Sequence, residues 1–282
     1  MIIDWKKIAW EIYDNIKSEV KELKTKPKLS VILVWENSAS LRYVAQKRKW
    51  AEYTWINYEQ INLKDDITEI DLINKINELN NDNSTNWFIV QLPLPKHINS
   101  INILNKINPI KDVDGFHPEN QWKIIVWDPT WLAPCTPKWV IEIFRNLKIN
   151  LRWKNIAIIW SSNIVWKPMA SLLMNEWSTV TICNSKTDDI SKYTSIADIV
   201  ITATWIPWII TKEIINDKTI VIDVWFTVID WKIYWDADFE NIEKNWNLIT
   251  PVPGWVWALT VALLMKNTLE AYKNQKKISD FH

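Results

Sequence analysis

The chain has 282 residues, with Lys+Arg and Asp+Glu both at 33 and no formal net charge, so it is long enough for a sizeable core and lacks the basic footprint of a nucleic-acid binder. Its two cysteines, Cys135 and Cys183, are too few for a disulfide framework or a CxxC metal site, which points to a reducing, cytoplasmic setting. No run of 18 uncharged apolar residues occurs, so neither a signal peptide nor a membrane span is expected.

Ile8, Ile12, Ile16, Val20 and Leu23 recur at three- and four-residue steps behind Asp4, a suitable cap, and predict an amphipathic helix over 4–24. The apolar run 29–34 reads as a strand. Helix 39–54, strand 56–63, helix 67–80 and strand 88–92 follow. Such alternation implies parallel sheet with helices on both faces. Periodicity lapses from Leu92-Pro93-Leu94-Pro95 through Pro109 to Pro118, a place for an interdomain cleft. A second βα series runs helix 136–147, strand 156–159, helix 165–176 and strands 179–183, 199–201 and 220–223. A closing helix covers 256–273. The expected class is therefore α/β with two domains, 1–119 and 120–282.

The abnormal feature is 22 Trp against 2 Gly. An average chain of this length carries about 20 glycines, and the two counts together restore that content. The tryptophans stand where chains turn. Asp230-Trp231 joins two alternating stretches where Asp-Gly would form a type I′ hairpin, while Trp177 and Trp55 follow helical runs at the position where Gly takes a left-handed conformation. These placements imply Trp written for Gly, as a UGA codon read as Gly in the source and translated as Trp would produce. The competing reading is an aromatic-rich carbohydrate or base binder, which needs the indoles on one exposed face.

Ile156 to Pro168 is a strand, a tight loop and a helix start in the order that cradles a pyrophosphate; with Gly at Trp160 and Trp166 it would be a dinucleotide loop. Beyond the next strand stand Asn184, Ser185 and Lys186, with no carboxylate to accept a ribose 2′-hydroxyl. Together with Lys167 they suit a 2′-phosphate, so NADP is expected over NAD.

Tyr43 and Lys47 lie at i and i+4 on one helix face, with Ser40 a turn earlier. This YVxxK helix, the VQLPLP segment at 90–95, the KDVDGFHP segment at 111–118, PCTP at 134–137 and the segment from Thr250 to Trp257, which reads TPVPGGVG with Gly restored, resemble the bifunctional methylenetetrahydrofolate dehydrogenase/methenyltetrahydrofolate cyclohydrolase family. The similarity runs through nearly the whole chain. Trp at 5, 35, 87, 139, 160, 166, 205, 208, 225, 235, 255 and 257 falls at that family's glycines, whereas Trp10, Trp50, Trp127, Trp131 and Trp246 have no glycine match. Asn184 stands where the family often has His, and Ala258-Leu259 where Pro-Met is commoner.

The resemblance implies a catalytic domain followed by a Rossmann-like NADP-binding domain, with helix 256–273 packing back toward the first. It also implies a homodimer and two reactions: NADP-dependent oxidation of 5,10-methylenetetrahydrofolate, then hydrolysis of the methenyl product to 10-formyltetrahydrofolate. Lys47 is the candidate base for hydrolysis, since an amine desolvated beside a cationic substrate loses its proton more readily. Tyr43 would stack on the folate, and Gln91 and Asp114 would assist Lys47 and grip the pterin edge. Folate contacts are expected from Ser40, Tyr43, Asp114, Pro253 and Gly254. Cofactor contacts are expected from Trp160, Ser161, Ser162, Asn163, Val165, Trp166, Lys167, Ser185, Lys186 and Thr204. His97, His117 and His282 are too scattered for a metal site, and Asp112 reads as a loop-capping carboxylate. If the tryptophans are genuine, the alternative is a catalytically impaired folate- or nucleotide-binding protein.

Overall fold

A computed structural model of the chain describes residues 5–34, 38–82, 85–160, 166–224, 226–230, 232–245, 247–250 and 256–279. Among them the chain runs α1 (Trp5–Lys21), β1 (Lys28–Leu33), α2 (Ser38–Tyr53), β2 (Asn57–Asn62), α3 (Glu69–Asn81), β3 (Trp87–Val90), α4 (Ser100–Leu104) and α5 (Pro118–Ile125). It continues through α6 (Cys135–Asn146), β4 (Asn155–Ile159), α7 (Trp166–Asn175), β5 (Thr179–Cys183), α8 (Ser191–Thr194), β6 (Ile199–Thr202) and a 3-10 turn at Lys212–Ile214. Strands β7 (Ile220–Asp223), β8 (Phe226–Ile229) and β9 (Lys232–Trp235) precede helices α9 (Phe239–Lys244) and α10 (Val256–Ser279). No helix among these residues is long and apolar enough to cross a membrane.

Two compact units divide the chain, Ala9–Cys135 with Leu259–His282, and Met1–Ile8 with Thr136–Ala258. The first contains a parallel sheet of order β2-β1-β3. Its strands β1 and β3 are apolar and sealed on both faces, with Leu29, Val31, Ile32, Phe88 and Ile89 essentially without solvent contact, as a parallel sheet covered by helices requires. From Leu259 onward α10 belongs to this unit, where the Tyr272 hydroxyl lies 2.6 Å from that of Thr25. The second unit holds a parallel sheet of order β5-β4-β6-β7 and the antiparallel hairpin β8-β9. Ala157, Ile159, Val200, Ile210 and Val221 form part of its buried core.

Local chemistry explains the helix starts. Thr68 caps α3 by accepting the Asp71 N–H at 3.1 Å, with Glu69 and Asp71 in the first turn against the positive end of the dipole. Helix α5, absent from the sequence reading, starts at Pro118 behind His117, whose Nδ1 accepts the Glu119 N–H at 3.1 Å. Helices α4, α8 and α9 were likewise not expected; at four to six residues they are too short to show a period. The Asp4 cap lies outside the described residues.

Helix ends carry the chain's main anomaly. Trp55, Trp127 and Trp177, just past α2, α5 and α7, have φ of 61°, 57° and 64°. Each is followed by an N–H that reaches five residues back, from Ile56 to Ala51 at 2.9 Å, Asp128 to Lys123 at 2.9 Å and Ser178 to Leu173 at 3.2 Å. This is the Schellman closure, whose left-handed residue is normally Gly. Trp153, Trp160, Trp205 and Trp208 also have positive φ, so tryptophan accounts for seven of the nine non-glycine residues in that region. Trp127, for which the sequence offers no glycine match in the family, has the same left-handed backbone. In the hairpin, Asp230 has φ 49°, as the first central residue of a type I′ turn needs, and Trp231 lies outside the described residues.

Candidate active site

Parallel strands bring their carboxyl ends to one edge, and the first unit assembles its polar side chains there. Helix α2 leaves the β1 end and carries Ser40, Tyr43 and Lys47 on one face. Ser40 and Lys47 are buried, Tyr43 half-buried. Gln91 follows β3 directly, its N–H bonded to Ile32 O at 2.9 Å, which continues the β1–β3 pairing by one residue. The segment bearing Asp114 joins the same sheet through a parallel bridge between Phe88 and Asp112.

Lys47 Nζ donates to Gln91 Oε1 at 2.8 Å. The amide of Gln91 is oriented in turn by donating Nε2–H to Leu92 O at 2.5 Å, next to the cis Leu92–Pro93 bond. Burial depresses the Lys47 pKa, and the charges of Asp114 and Cys135 partly restore it. Burial lifts the Asp114 carboxyl to about 6, with Lys47 opposing the shift and Asp112 adding to it. Burial likewise raises the Tyr43 phenol. The site thus pairs an amine driven toward neutrality with a carboxylate driven toward protonation, an arrangement suited to moving one proton near neutral pH.

Asp112 is the loop cap that the sequence implied. It accepts from Gly115 N at 3.0 Å, His117 N at 2.8 Å and Asn120 Nδ2 at 3.1 Å. Gly115, at φ +70°, is pressed so closely to the backbone of 132–134 that a Cβ would stand 2.4 Å from Leu132 O. Sequence gives Cys135 no role in the site; its electrostatic tie to Lys47 spans 88 positions of chain and leaves no local signal. Pro253 and Gly254 lie outside the described residues.

In the second unit the parallel strands run β5-β4-β6-β7, so the order of strand addition reverses between β4 and β6, the kind of switch point at which doubly wound sheets bind nucleotides. Trp160 follows β4 with φ 153°, its N–H bonded to Cys183 O at 2.8 Å, and Trp205 follows β6 with φ 61°. Their indoles meet edge to face at 5.2 Å between centroids. Both residues thus stand at the carboxyl ends of adjacent parallel strands on either side of the switch point.

Ser161, Ser162, Asn163 and Val165 lie outside the described residues. Lys167 is exposed on the first turn of α7, whereas the Trp166 side chain is buried and directed into protein. Ser185 and Lys186 are exposed at the tip of a turn after β5, tied by Asn184 Oδ1 accepting Lys186 N–H at 2.9 Å. Thr204 is buried; its hydroxyl donates to Asp236 Oδ2 at 3.0 Å and accepts from Ile206 N at 3.1 Å, so it shapes the loop after β6.

Both halves of the chain are similar to known proteins. Residues 3–114 match the family model "Tetrahydrofolate dehydrogenase/cyclohydrolase, catalytic domain", and residues 134–276 match its NAD(P)-binding domain. A protein of Nautilia profundicola described as bifunctional protein FolD is 44% identical over 280 residues, covering 98% of both chains. The crystal structure of a bifunctional methylenetetrahydrofolate dehydrogenase/cyclohydrolase from Campylobacter jejuni superposes with TM-score 0.94 at 38% identity, over 98% of this chain and 99% of that one. The Trypanosoma brucei enzyme, complexed with NADP and an inhibitor, superposes with TM-score 0.89 at 31% identity, over 98% of each chain. The chain belongs to the tetrahydrofolate dehydrogenase/cyclohydrolase family.

Proposed function

We propose that the chain oxidises 5,10-methylenetetrahydrofolate with NADP and hydrolyses the resulting methenyl compound to 10-formyltetrahydrofolate. The observation that carries this reading is the buried Lys47–Gln91 pair with Asp114 beside it, in a chain whose other half has a nucleotide-binding topology.

Hydride leaves a carbon flanked by two nitrogens whose lone pairs stabilise the cation, so the oxidation asks for positioning rather than a base. Lys167, Ser185 and Lys186, exposed in the second unit, would hold the 2′-phosphate of NADP, which would supply the hydride acceptor. Hydrolysis asks for a base. Gln91 accepts one N–H of Lys47 and leaves the lone pair of the neutral amine free to take a proton from the attacking water. A cationic substrate lowers the Lys47 pKa further. Tyr43 stacks on the folate, and Asp114 as a carboxylate accepts paired N–H donors of the pterin. The two cysteines, both buried and neither in a disulfide, fit a reducing cytoplasm, and a homodimer is the assembly we expect from the family.

The same reading requires glycine at the tryptophan turns. An L-residue in the left-handed region costs about 1–2 kcal/mol, so seven such residues take up about 7–14 kcal/mol, the size of a whole domain's stability. Trp87 adds an indole N–H buried without an acceptor among the described residues. The positive-φ indoles cap separate turns in both units, which argues against one stacking face.

Lys47→Met tests the assignment. Hydrolysis should fall at least about a hundredfold while oxidation retains much more of its rate; equal loss of both would contradict the division of labour.

A further inference from the structure

One side chain of the closing helix α10, Asn267, is bonded to the segments that carry Asp114 and Cys135. Asn267 is fully buried, and its Nδ2 donates to Val113 O and to Ala133 O, each at 2.9 Å, with Cys135 Sγ at 3.9 Å. Val113 precedes Asp114, and Ala133 stands two residues before Cys135. These are the two segments whose charges act on Lys47. Gly115 already seats one segment on the other, and the amide adds the hydrogen bonds that set their register.

We propose that Asn267 is a positioning residue for hydrolysis: its amide staples the Asp114 segment to the Cys135 segment and thereby fixes both groups relative to Lys47. Both N–H bonds end on carbonyls within two residues of groups that act on Lys47, from positions 154 and 134 residues away in the chain.

The groups acting on Lys47 are Asp114 and Cys135, with Gln91 as its hydrogen-bond acceptor, Tyr43 on its own helix, and Asp112 acting on Asp114. Asp114 and Cys135 oppose the effect of burial on Lys47. Releasing them leaves burial less opposed, so the base loses its proton at lower pH.

This inference rests on the functional reading above. The experiment is the pH profile of kcat/KM for hydrolysis in the full-length chain, in whichever form turns over folate, with Asn267→Leu, which removes both donors, and Asn267→Ser, which keeps a hydroxyl donor. The acid limb should move down by about one pH unit in Asn267→Leu and less in Asn267→Ser, with KM for folate raised and KM for NADP unchanged. An unmoved acid limb with a lowered unfolding midpoint makes Asn267 structural only and overturns the proposal, as does failure of both variants to fold. An inactive parent chain would overturn the functional reading and this inference together; an active parent with an unmoved profile overturns this inference alone.

Discussion

At a Schellman position the order of glycine and alanine inverts, and Trp55, Trp127 and Trp177 allow that inversion to be measured. All three are substantially exposed, at 44%, 54% and 63%, so comparing Trp with Gly directly would mix relief of backbone strain with loss of partial packing. Replacing each by Ala and by Gly removes the indole in both cases and isolates the Cβ. The left-handed conformation costs an L-residue about 1–2 kcal/mol, while the greater freedom of unfolded glycine returns about 0.4–1 kcal/mol. Gly should therefore exceed Ala by about 0.5–1 kcal/mol per site, and by about 1.5–3 kcal/mol with all three changed together. Trp122, exposed at 60% inside α5, is the control, and there Ala should exceed Gly by about 0.5–1 kcal/mol. Urea unfolding of each pair reads these differences as shifts in midpoint at constant slope. Equal stabilities at the three helix ends, or Ala above Gly there, would refute the argument that these positions are built for glycine.

Asp114→Asn should raise KM for folate by about tenfold or more, because a charged acceptor of paired donors is replaced by a neutral one. In the parent chain, with the Asp114 pKa at about 6, folate KM should climb as pH falls through that value and the carboxylate is lost; the Asn variant should lack this dependence. Steady-state kinetics across pH check both, and an unchanged affinity would make Asp114 structural. Lys186→Ala should raise KM for NADP several-fold and leave that for NAD in place, since only NADP carries the 2′-phosphate; parallel changes for the two cofactors would remove Lys186 from that contact.

Much of the fold was legible because β-branched runs bounded by turns mark buried strands. Strands β5 and β7 fall on the residues read from sequence, Thr179–Cys183 and Ile220–Asp223. What escaped was short or long-range. Helix α5 depends on a His117 cap and Pro118 rather than on a strong period, and Trp127 disclosed its turn only through its backbone angle. In the site, the spacing of Tyr43 and Lys47 was visible because it is local to one helix. The partnership of Lys47 with Gln91 follows from the pairing of β1 with β3, and the contributions of Cys135 and Asn267 arise only when distant segments meet. The resemblance brought Gln91 forward; nothing comparable marked Asn267.

The most direct test is to assay two full-length proteins side by side with methylenetetrahydrofolate and NADP, one as written and one with glycine at Trp160, Trp205 and the other positive-φ tryptophans. The glycine form should reduce NADP and release 10-formyltetrahydrofolate, while the tryptophan form, with two indoles in contact at the β4 and β6 ends, should bind NADP weakly and turn over little. Equal turnover by the two forms, or none by the glycine form, would contradict the account.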